Sequence, residues 1–515
     1  MNLLHVTERN ARFYPEKEAF VEIRPLSRRR LALTWREFDE KVQRFANGLI
    51  ERGLRKGERV FILGRNSIDW LVCYFGTLLC SAWAVPLNYR FYDEDLFYCA
   101  EIAKPSFFVM DAEYAPRVQK NRGRFDSVRH YISIGETDGM ESLDRLLLGD
   151  SPRRLKVPPS DDEECALYFT SGTTGAPKPI LLTHRNLMST AINEAVAEKW
   201  DERDCLLMMP PFYHLAIGHL FGCMISGGKT VLLTERISPE FIFETISKER
   251  VTVVFLLVPW IIDVLEALDS GRIRKGDYDL AMWRLVYSGA QPIPPNLVLR
   301  WKQHFPQMAF DCTYGLSEAS GPQVTHLGLG NERKMGSIGK PGLLWDVRIV
   351  DDEGRDVPKG EVGELVARGD GVMRCYFNNP DLTAKTIQDG WLRTGDLARM
   401  DEEGFIYIVD RKKDVIICGG ENVYPVEVET VISRHPKVRD VAVIGTRDER
   451  LGEVVTAVIE AVPGADLTEE EILRFCEENL PRYKRPRRII FDTIPRSSTG
   501  KIEKPKLRER WGGGR

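Results

Sequence analysis

At 515 residues the chain exceeds what one hydrophobic core sustains, roughly 250–300 residues, so two or more domains are expected. Its composition, 43% hydrophobic and 29% charged with no low-complexity tract, excludes a largely disordered protein. A net charge of -4 argues against general nucleic-acid binding, and ten scattered cysteines without a C-x-x-C pair argue against a disulfide scaffold or a zinc site.

The N-terminus, MNLLHVTERN, is too charged for a signal peptide. Apolar residues at helical spacing (Phe38, Val42, Phe45, Leu49) predict a helix over Thr34 to Gly53, with Thr34 as its N-cap. RVFILG (59–64) reads as a strand, Ile68 to Ala82 as a helix and AVPLN (84–88) as a strand, an alternation that predicts parallel sheets with flanking helices. Val251 to Leu265 is the most apolar stretch, but it holds Pro259 and Asp263 and falls short of the ~20 residues that span a bilayer. It reads as a strand, VTVVFLLV, followed by a helix opened by Pro259. From Gly360 onward short strands and turns predominate, and DRKKD (410–414) marks a change of character. Beyond it two helical and three strand patterns predict a small α+β domain. The fold class expected is therefore α/β: a large N-terminal part of several subdomains, including a small β-barrel-like piece, and a small α+β domain. The expected divisions are 1–409, a hinge at 410–413, and 414–515.

The strongest local signal is YFTSGTTGAPK (168–178). Glycines and hydroxyls after a strand let backbone N–H groups and Ser/Thr oxygens wrap a polyphosphate, and Lys178 adds a cation. The spacing is not that of a Walker loop, because Gly172 and Gly175 stand too close together and Pro177 precedes the lysine. Read alone, the segment also suits a Ser/Gly-rich surface turn.

This run resembles the phosphate loop of the adenylate-forming superfamily: acyl-CoA synthetases, aryl-CoA ligases, peptide-synthetase adenylation domains and firefly luciferase. Further segments follow in that superfamily's order: PPFYHLAIGH (210–219), SGAQPI (288–293), YGLSE (314–318), GSIGKPG (336–342), GELVARGDGVMRCYFNNP (363–380), GWLRTGD (390–396), DRKKDVIICGGENVYPVEVE (410–429) and PRSSTGKIEK (495–504). The resemblance spans about residues 165 to 505. It implies an AMP-forming acid–thiol ligase that uses ATP, Mg²⁺ and coenzyme A with a small-molecule carboxylic acid.

The resemblance also implies roles for individual residues. Thr170, Ser171, Gly172, Thr173, Thr174 and Lys178 would hold phosphates, Tyr314 would lie against the adenine ring, and Gly289, Ala290, Gln291 and Gly315 would belong to the nucleotide site, the SGAQ turn also lining the acyl pocket. Ser317 would reach a phosphate oxygen, Asp396 the ribose hydroxyls and Arg411 the ribose or a phosphate. Glu318 would ligate magnesium, since one carboxylate plus phosphate oxygens suffices for that ion. Lys501 would bridge the carboxylate and the α-phosphate. His214, Gly218 and Gly315 would border the acyl group, with His214 where the thiol arrives. Lys413 would be the pivot about which the small domain rotates, bringing Gly419, Gly420 and Glu421 to the coenzyme A path. Taken singly, each has a duller reading: an exposed lysine for Lys501, a core aromatic for Tyr314, a structural ion pair for Asp396 and Arg411, a structural histidine for His214.

Three positions depart from the superfamily pattern: Pro179 stands where glycine is usual, Cys312 where a polar side chain often faces adenine, and Cys375 where glycine is common. Proline stiffens its arm of the loop, and a thiol is a weak hydrogen-bond partner. The apolar, glycine-bearing GHLFGCM (218–224) suggests a route for a medium-to-long-chain or cyclic hydrophobic tail. Loading of a separate carrier protein, luciferase-type oxidation and a non-catalytic nucleotide-binding role are the alternatives. A cytoplasmic protein without a membrane span is expected, with peripheral membrane contact and a monomeric or homodimeric state left open.

Overall fold

In the computed structural model of the chain, residues 1–148, 153–156, 160–170, 177–496 and 502–512 are described. Thr34 caps the helix Trp35–Glu51: its hydroxyl accepts from the Glu37 N–H while Glu37 accepts from the Thr34 N–H. This reciprocal pairing satisfies donors that the first helical turn leaves orphaned. The helix Val258–Asp269 carries Pro259 in its first turn, where the missing N–H has no consequence.

Two large sheets form the frame. One has eight strands, in the order Cys375–Tyr376, Lys178–Thr183, Glu164–Thr170, Trp83–Leu87, Arg59–Leu63, Phe107–Asp111, His130–Ile134 and Glu141–Ser142. The other has nine and runs from Lys340–Pro341 through Gly321–His326, Ala309–Leu316, Leu285–Ser288, Val253–Phe255, Cys205–Met208, Lys229–Leu233 and Glu18–Arg24 to Arg29–Thr34. Both are parallel in the middle; the eight-stranded sheet is antiparallel at one end and the nine-stranded sheet at both. Pro86 sits inside the first sheet without disrupting it. Trp83–Leu87 pairs fully with Arg59–Leu63 but meets Glu164–Thr170 only at Ala84 opposite Ala166, so no ladder bond is lost at the proline.

One continuous core joins the facing sides of both sheets and encloses the helices Trp35–Glu51, Ile68–Leu79, His184–Ala197 and Gly218–Ile225. Separate cores cover the outer faces, giving a layered α/β body. A five-stranded antiparallel sheet follows, over Trp345–Val350, Gly363–Gly369, Ile387–Gln388, Trp391–Met400 and Ile406–Arg411. The last sheet begins at Ile416, after the turn Lys412–Asp414, and packs the helices Pro425–Ile432 and Glu469–Asn479 around its own core. The α/β class with a small α+β domain is as the sequence predicts. Among the described residues no helix is long and apolar enough to cross a membrane.

Candidate active site

The strands Glu164–Thr170 and Lys178–Thr183 pair antiparallel, with Thr170 opposite Lys178. Ser171, Gly172, Thr173 and Thr174 lie outside the described residues. Pro179 is inside the returning strand, opposite Phe169, and its carbonyl accepts from the Phe377 N–H at 2.8 Å. The proline thus stiffens a strand already fixed by pairing.

The Lys178 ammonium lies 5.5 Å from the centre of the Tyr376 ring, and the Tyr376 hydroxyl donates to Glu318 Oε1 at 2.6 Å. Burial and the Glu318 charge push the Tyr376 phenol well above its ordinary pKa, so it remains a donor. Glu318 sits on the turn Ser317–Ala319, whose geometry is tied to the next segment by the Met373 N–H donating to the Glu318 carbonyl. Sequence reading overlooked Tyr376; its only signal was an aromatic in the resembling stretch GVMRCYFNNP.

The strand leading into this turn, Ala309–Leu316, carries Tyr314. Its hydroxyl donates to Asp396 Oδ2 at 2.6 Å, and Arg411 Nε donates to Asp396 Oδ1 at 2.6 Å. Burial and the Asp396 carboxylate hold the Tyr314 phenol well above its usual range. Burial opposes the Arg411 charge, but Asp396, Tyr314 and Glu318 outweigh it, so the guanidinium is held firmly charged.

Gly289 follows the neighbouring strand Leu285–Ser288, and a Cβ there would come within 2.7 Å of the Thr313 carbonyl oxygen. Only glycine permits that approach. Ala290 has a φ of 70°, a left-handed conformation that L residues seldom adopt and that clusters at functional turns. Gln291 Oε1 accepts from Arg496 Nη1 at 2.7 Å. A cavity of about 1380 Å³ opens here, between Ala290, Gln291, Cys312–Leu316, Asp396 and Arg411 on one side and the small domain on the other. Burial pushes the Cys312 thiol up, so it faces the cavity as a neutral, weak donor.

His214 precedes the turn Leu215–Ile217, half-buried, with its ring centroid 4.5 Å from that of Tyr213. Gly218 opens the helix Gly218–Ile225. The glycine at 222 does not widen a route for a tail: a Cβ there would meet Glu194 Cβ at 2.4 Å, so it serves the close crossing of this helix over His184–Ala197. His219, the second histidine of the motif, is buried, stacks on Phe255 at 3.9 Å and pairs through Nδ1 with Glu194 Oε1 at 2.6 Å.

Lys413, in the turn before the small domain, lines the cavity, as do Arg496 and Ile502 of that domain, which pair as an isolated bridge. Lys501 lies outside the described residues. Gly419, Gly420 and Glu421 form an exposed hairpin tip with φ of 61° and 89° at the glycines. They do not line the cavity among the described residues.

A grouping of potential metal ligands lies behind the same strand: Glu198, Asp311 and His326, all buried, with ligand atoms within 4.8 Å of one another. It does not include Glu318. Burial disfavours a charged His326, but its hydrogen bond with Asp311 and the nearby Glu198 carboxyl outweigh it and raise its pKa to about 10. Burial, then the Asp311 charge, pushes Glu198 upward. The cluster is an internal ion network, with His326 as its cation.

The sequence matches the AMP-binding enzyme family over residues 7–377 and the AMP-binding enzyme C-terminal domain over residues 427–501. A feruloyl-CoA synthase from Amycolatopsis sp is 36% identical over 486 residues, covering 93% of this chain and 94% of that one. The long-chain-fatty-acid–CoA ligase FadD13 of Mycobacterium tuberculosis is 31% identical over 511 residues, covering 99% and 98%. Among solved structures, the anthranilate CoA ligase AuaEII in complex with anthranoyl-AMP superposes with a TM-score of 0.91 at 27% identity, covering 100% of this chain and 97% of that one.

Proposed function

The chain belongs to the AMP-binding enzyme family, and from that premise we propose that it is an AMP-forming acid–thiol ligase that joins a carboxylic acid to coenzyme A. A carboxylate oxygen attacks the α-phosphorus of ATP and pyrophosphate leaves; the coenzyme A sulfur then attacks the acyl carbonyl and AMP leaves. The observation that carries this reading is the segment Tyr314 to Glu318. At one end Tyr314 is bonded to Asp396, and at the other Glu318 is bonded to Tyr376, which lies beneath Lys178. A carboxylate suited to sugar hydroxyls and a cation suited to phosphate thus flank one short stretch of chain, as a nucleotide requires.

In this reading Thr170 and Lys178, with the loop between them, hold the phosphates. Tyr314 lies against the adenine, Gly289, Ala290, Gln291 and Gly315 complete the nucleotide site, Asp396 and Arg411 take the ribose, and Ser317 reaches a phosphate oxygen. Glu318 supplies one ligand to Mg²⁺, whose charge would offset that of the leaving pyrophosphate. Lys501 stabilises charge on the α-phosphate during the first step. His214, Gly218 and Gly315 border the acyl group. For the second step the small domain, residues 414–515, turns about Lys413 and presents Gly419 to Glu421 to coenzyme A.

The substrate is an apolar acid, medium-to-long-chain or cyclic. The named relatives act on ferulate, anthranilate and long-chain fatty acids, and the Gly218–Ile225 helix that follows His214 is mostly apolar and buried. AMP formation with ATP, Mg²⁺ and coenzyme A, across acids from acetate to palmitate plus benzoate and cinnamate-type acids, tests the reading. Coenzyme A-dependent turnover that collapses in Lys501→Ala is expected. Silence of the intact enzyme across the whole panel, with ATP still bound, would count against it.

A further inference from the structure

Among the described residues the small domain meets the large one through several polar contacts, and two arginines make three of them. Arg439, on the strand Val438–Asp448, is held by its own domain through Nη1 to Glu460 Oε1 at 2.8 Å. Its remaining nitrogens face the large-domain helix Val258–Asp269, with Nε 3.3 Å from Glu266 Oε1 and Nη2 3.6 Å from Asp263 Oδ1. These two acids are three residues apart on that helix and therefore share a face. The next residue, Asp440, receives Arg496 Nη2 at 2.6 Å, and Arg496 extends Nη1 to Gln291 on the large domain. Adjacent residues of one strand thus tie the small domain to a helix and to the strained turn after Gly289.

Three further facts give these contacts a direction. Arg496 precedes Lys501 by only five residues, so where Arg496 is held sets where the chain to Lys501 departs. The 419–421 tip, meanwhile, is exposed. The Arg439 pairs are also partly exposed, with side-chain accessibilities of 33%, 46% and 42% for Arg439, Asp263 and Glu266. Such ion pairs are individually weak and separate readily, as a contact broken in every turnover must. By contrast, the hinge-side pairs Lys504–Glu429 and Arg508–Asp414 lie wholly within residues 410–512 and do not oppose rotation.

We propose that Arg439, aimed by Glu460 at Asp263 and Glu266, together with the Arg496 bridge from Asp440 to Gln291, is an electrostatic latch that holds the small domain in the adenylate-forming orientation. It rests on the functional reading above. These are positioning residues, since none of Arg439, Asp263 or Glu266 touches the reacting atoms. A contact present in one orientation and absent in the other shifts the equilibrium between them, so the latch favours the first half-reaction and restrains the second.

The test is charge exchange at a pair that is not among the residues assigned above to the nucleotide. Arg439→Glu is expected to slow acid-dependent ATP–pyrophosphate exchange roughly 5- to 20-fold, while transfer of preformed acyl-adenylate to coenzyme A is unchanged or faster. Adding Asp263→Arg and Glu266→Arg should restore exchange to near the unmodified rate. Arg439→Gln serves as a milder variant should the reversal impair folding. Hydrogen-exchange mass spectrometry supplies a readout independent of activity: segments 258–269 and 433–441 should exchange faster in Arg439→Glu and recover in the exchanged-charge variant. An unchanged ratio of half-reactions with unchanged hydrogen exchange, or equal slowing of both half-reactions without rescue, would overturn the latch. Faster hydrogen exchange in Arg439→Glu, with no ATP–pyrophosphate exchange even in the unaltered enzyme, would uphold the contact and reject the functional reading.

Discussion

Asp396 and Arg411 stand directly opposite each other on neighbouring antiparallel strands, and the guanidinium Nε donates to the carboxylate Oδ1 at 2.6 Å. Tyr314 takes the other oxygen. An ionised carboxylate has about four lone-pair sites, so two remain for ribose hydroxyls, and the ion pair and the proposed ribose contact are compatible. Asp396→Ala should therefore lower kcat/KM for ATP by roughly 10- to 100-fold, since it removes charge-assisted bonds and frees Arg411. Tyr314→Phe, which leaves the ion pair intact, should have a clearly smaller effect. Steady-state kinetics at varied ATP checks both; equal losses would show that the tyrosine, not the carboxylate, organises the site.

The turn at Gly289 and Ala290 makes opposite predictions for adjacent residues. Gly289→Ala drives a methyl to 2.7 Å from the Thr313 backbone carbonyl, which cannot swing aside. It should destabilise the protein by about 1–3 kcal/mol and move Thr313, beside Tyr314, with loss of activity. Ala290→Gly relieves a φ of 70° and should be neutral or stabilising, by up to about 1 kcal/mol. Thermal unfolding of the two variants in parallel decides this, and equal destabilisation would mean that the strain at Ala290 is absent in solution.

Local chemistry made much of the frame readable. Thr34 followed by Glu37 is a capping pair in any context, and Pro259 opens the helix that it announces. The run VTVVFLLV was less faithful. Only Val253–Phe255 pairs in the sheet, because the helix already begins at Val258, and an unbroken apolar run carries no period to separate the two states. The site divides the same way. The Thr170–Lys178 pair, the Tyr314 strand and Asp396 lie in motifs with their own local grammar. The Tyr376–Glu318 bond spans 58 residues, the Arg496–Gln291 bond spans 205, and no local pattern signals either. Gly222 illustrates the converse error: a glycine in an apolar motif suggested open space, whereas the space is filled by Glu194.

Behind the Tyr314 strand, His326 is the cation for two buried acids, 3.3 Å from Asp311 and 3.5 Å from Glu198. His326→Ala leaves Asp311 buried without its cation and should destabilise the protein by about 3–5 kcal/mol. Glu198→Gln should be far milder, because burial and the Asp311 charge already favour the protonated acid that glutamine imitates. The double variant His326→Ala with Asp311→Asn should lose less than the sum of the two single losses, since the partners share one interaction. Denaturant unfolding of the set tests this; strict additivity would dissolve the network into independent groups.

His184 gives the clearest pH dependence. It begins the helix that follows the strand Lys178–Thr183, is 1% exposed, and burial lowers its pKa to about 4 from 6.5. A histidine depressed in the folded state binds fewer protons there than in the unfolded chain. Its contribution is therefore complete above pH 6.5 and is lost as pH falls towards 4. The gap between those values corresponds to about 3 kcal/mol. His184→Gln cannot take up the proton, so its stability relative to the unaltered chain should rise by that order between pH 7 and pH 4.5. Other groups titrate in this window, Asp410 among them at about 6, so the difference between the two curves carries the prediction, not either curve alone. Parallel curves would mean that His184 is hydrated or already charged in the folded protein, and that its burial at the end of the strand Lys178–Thr183 is not retained in solution.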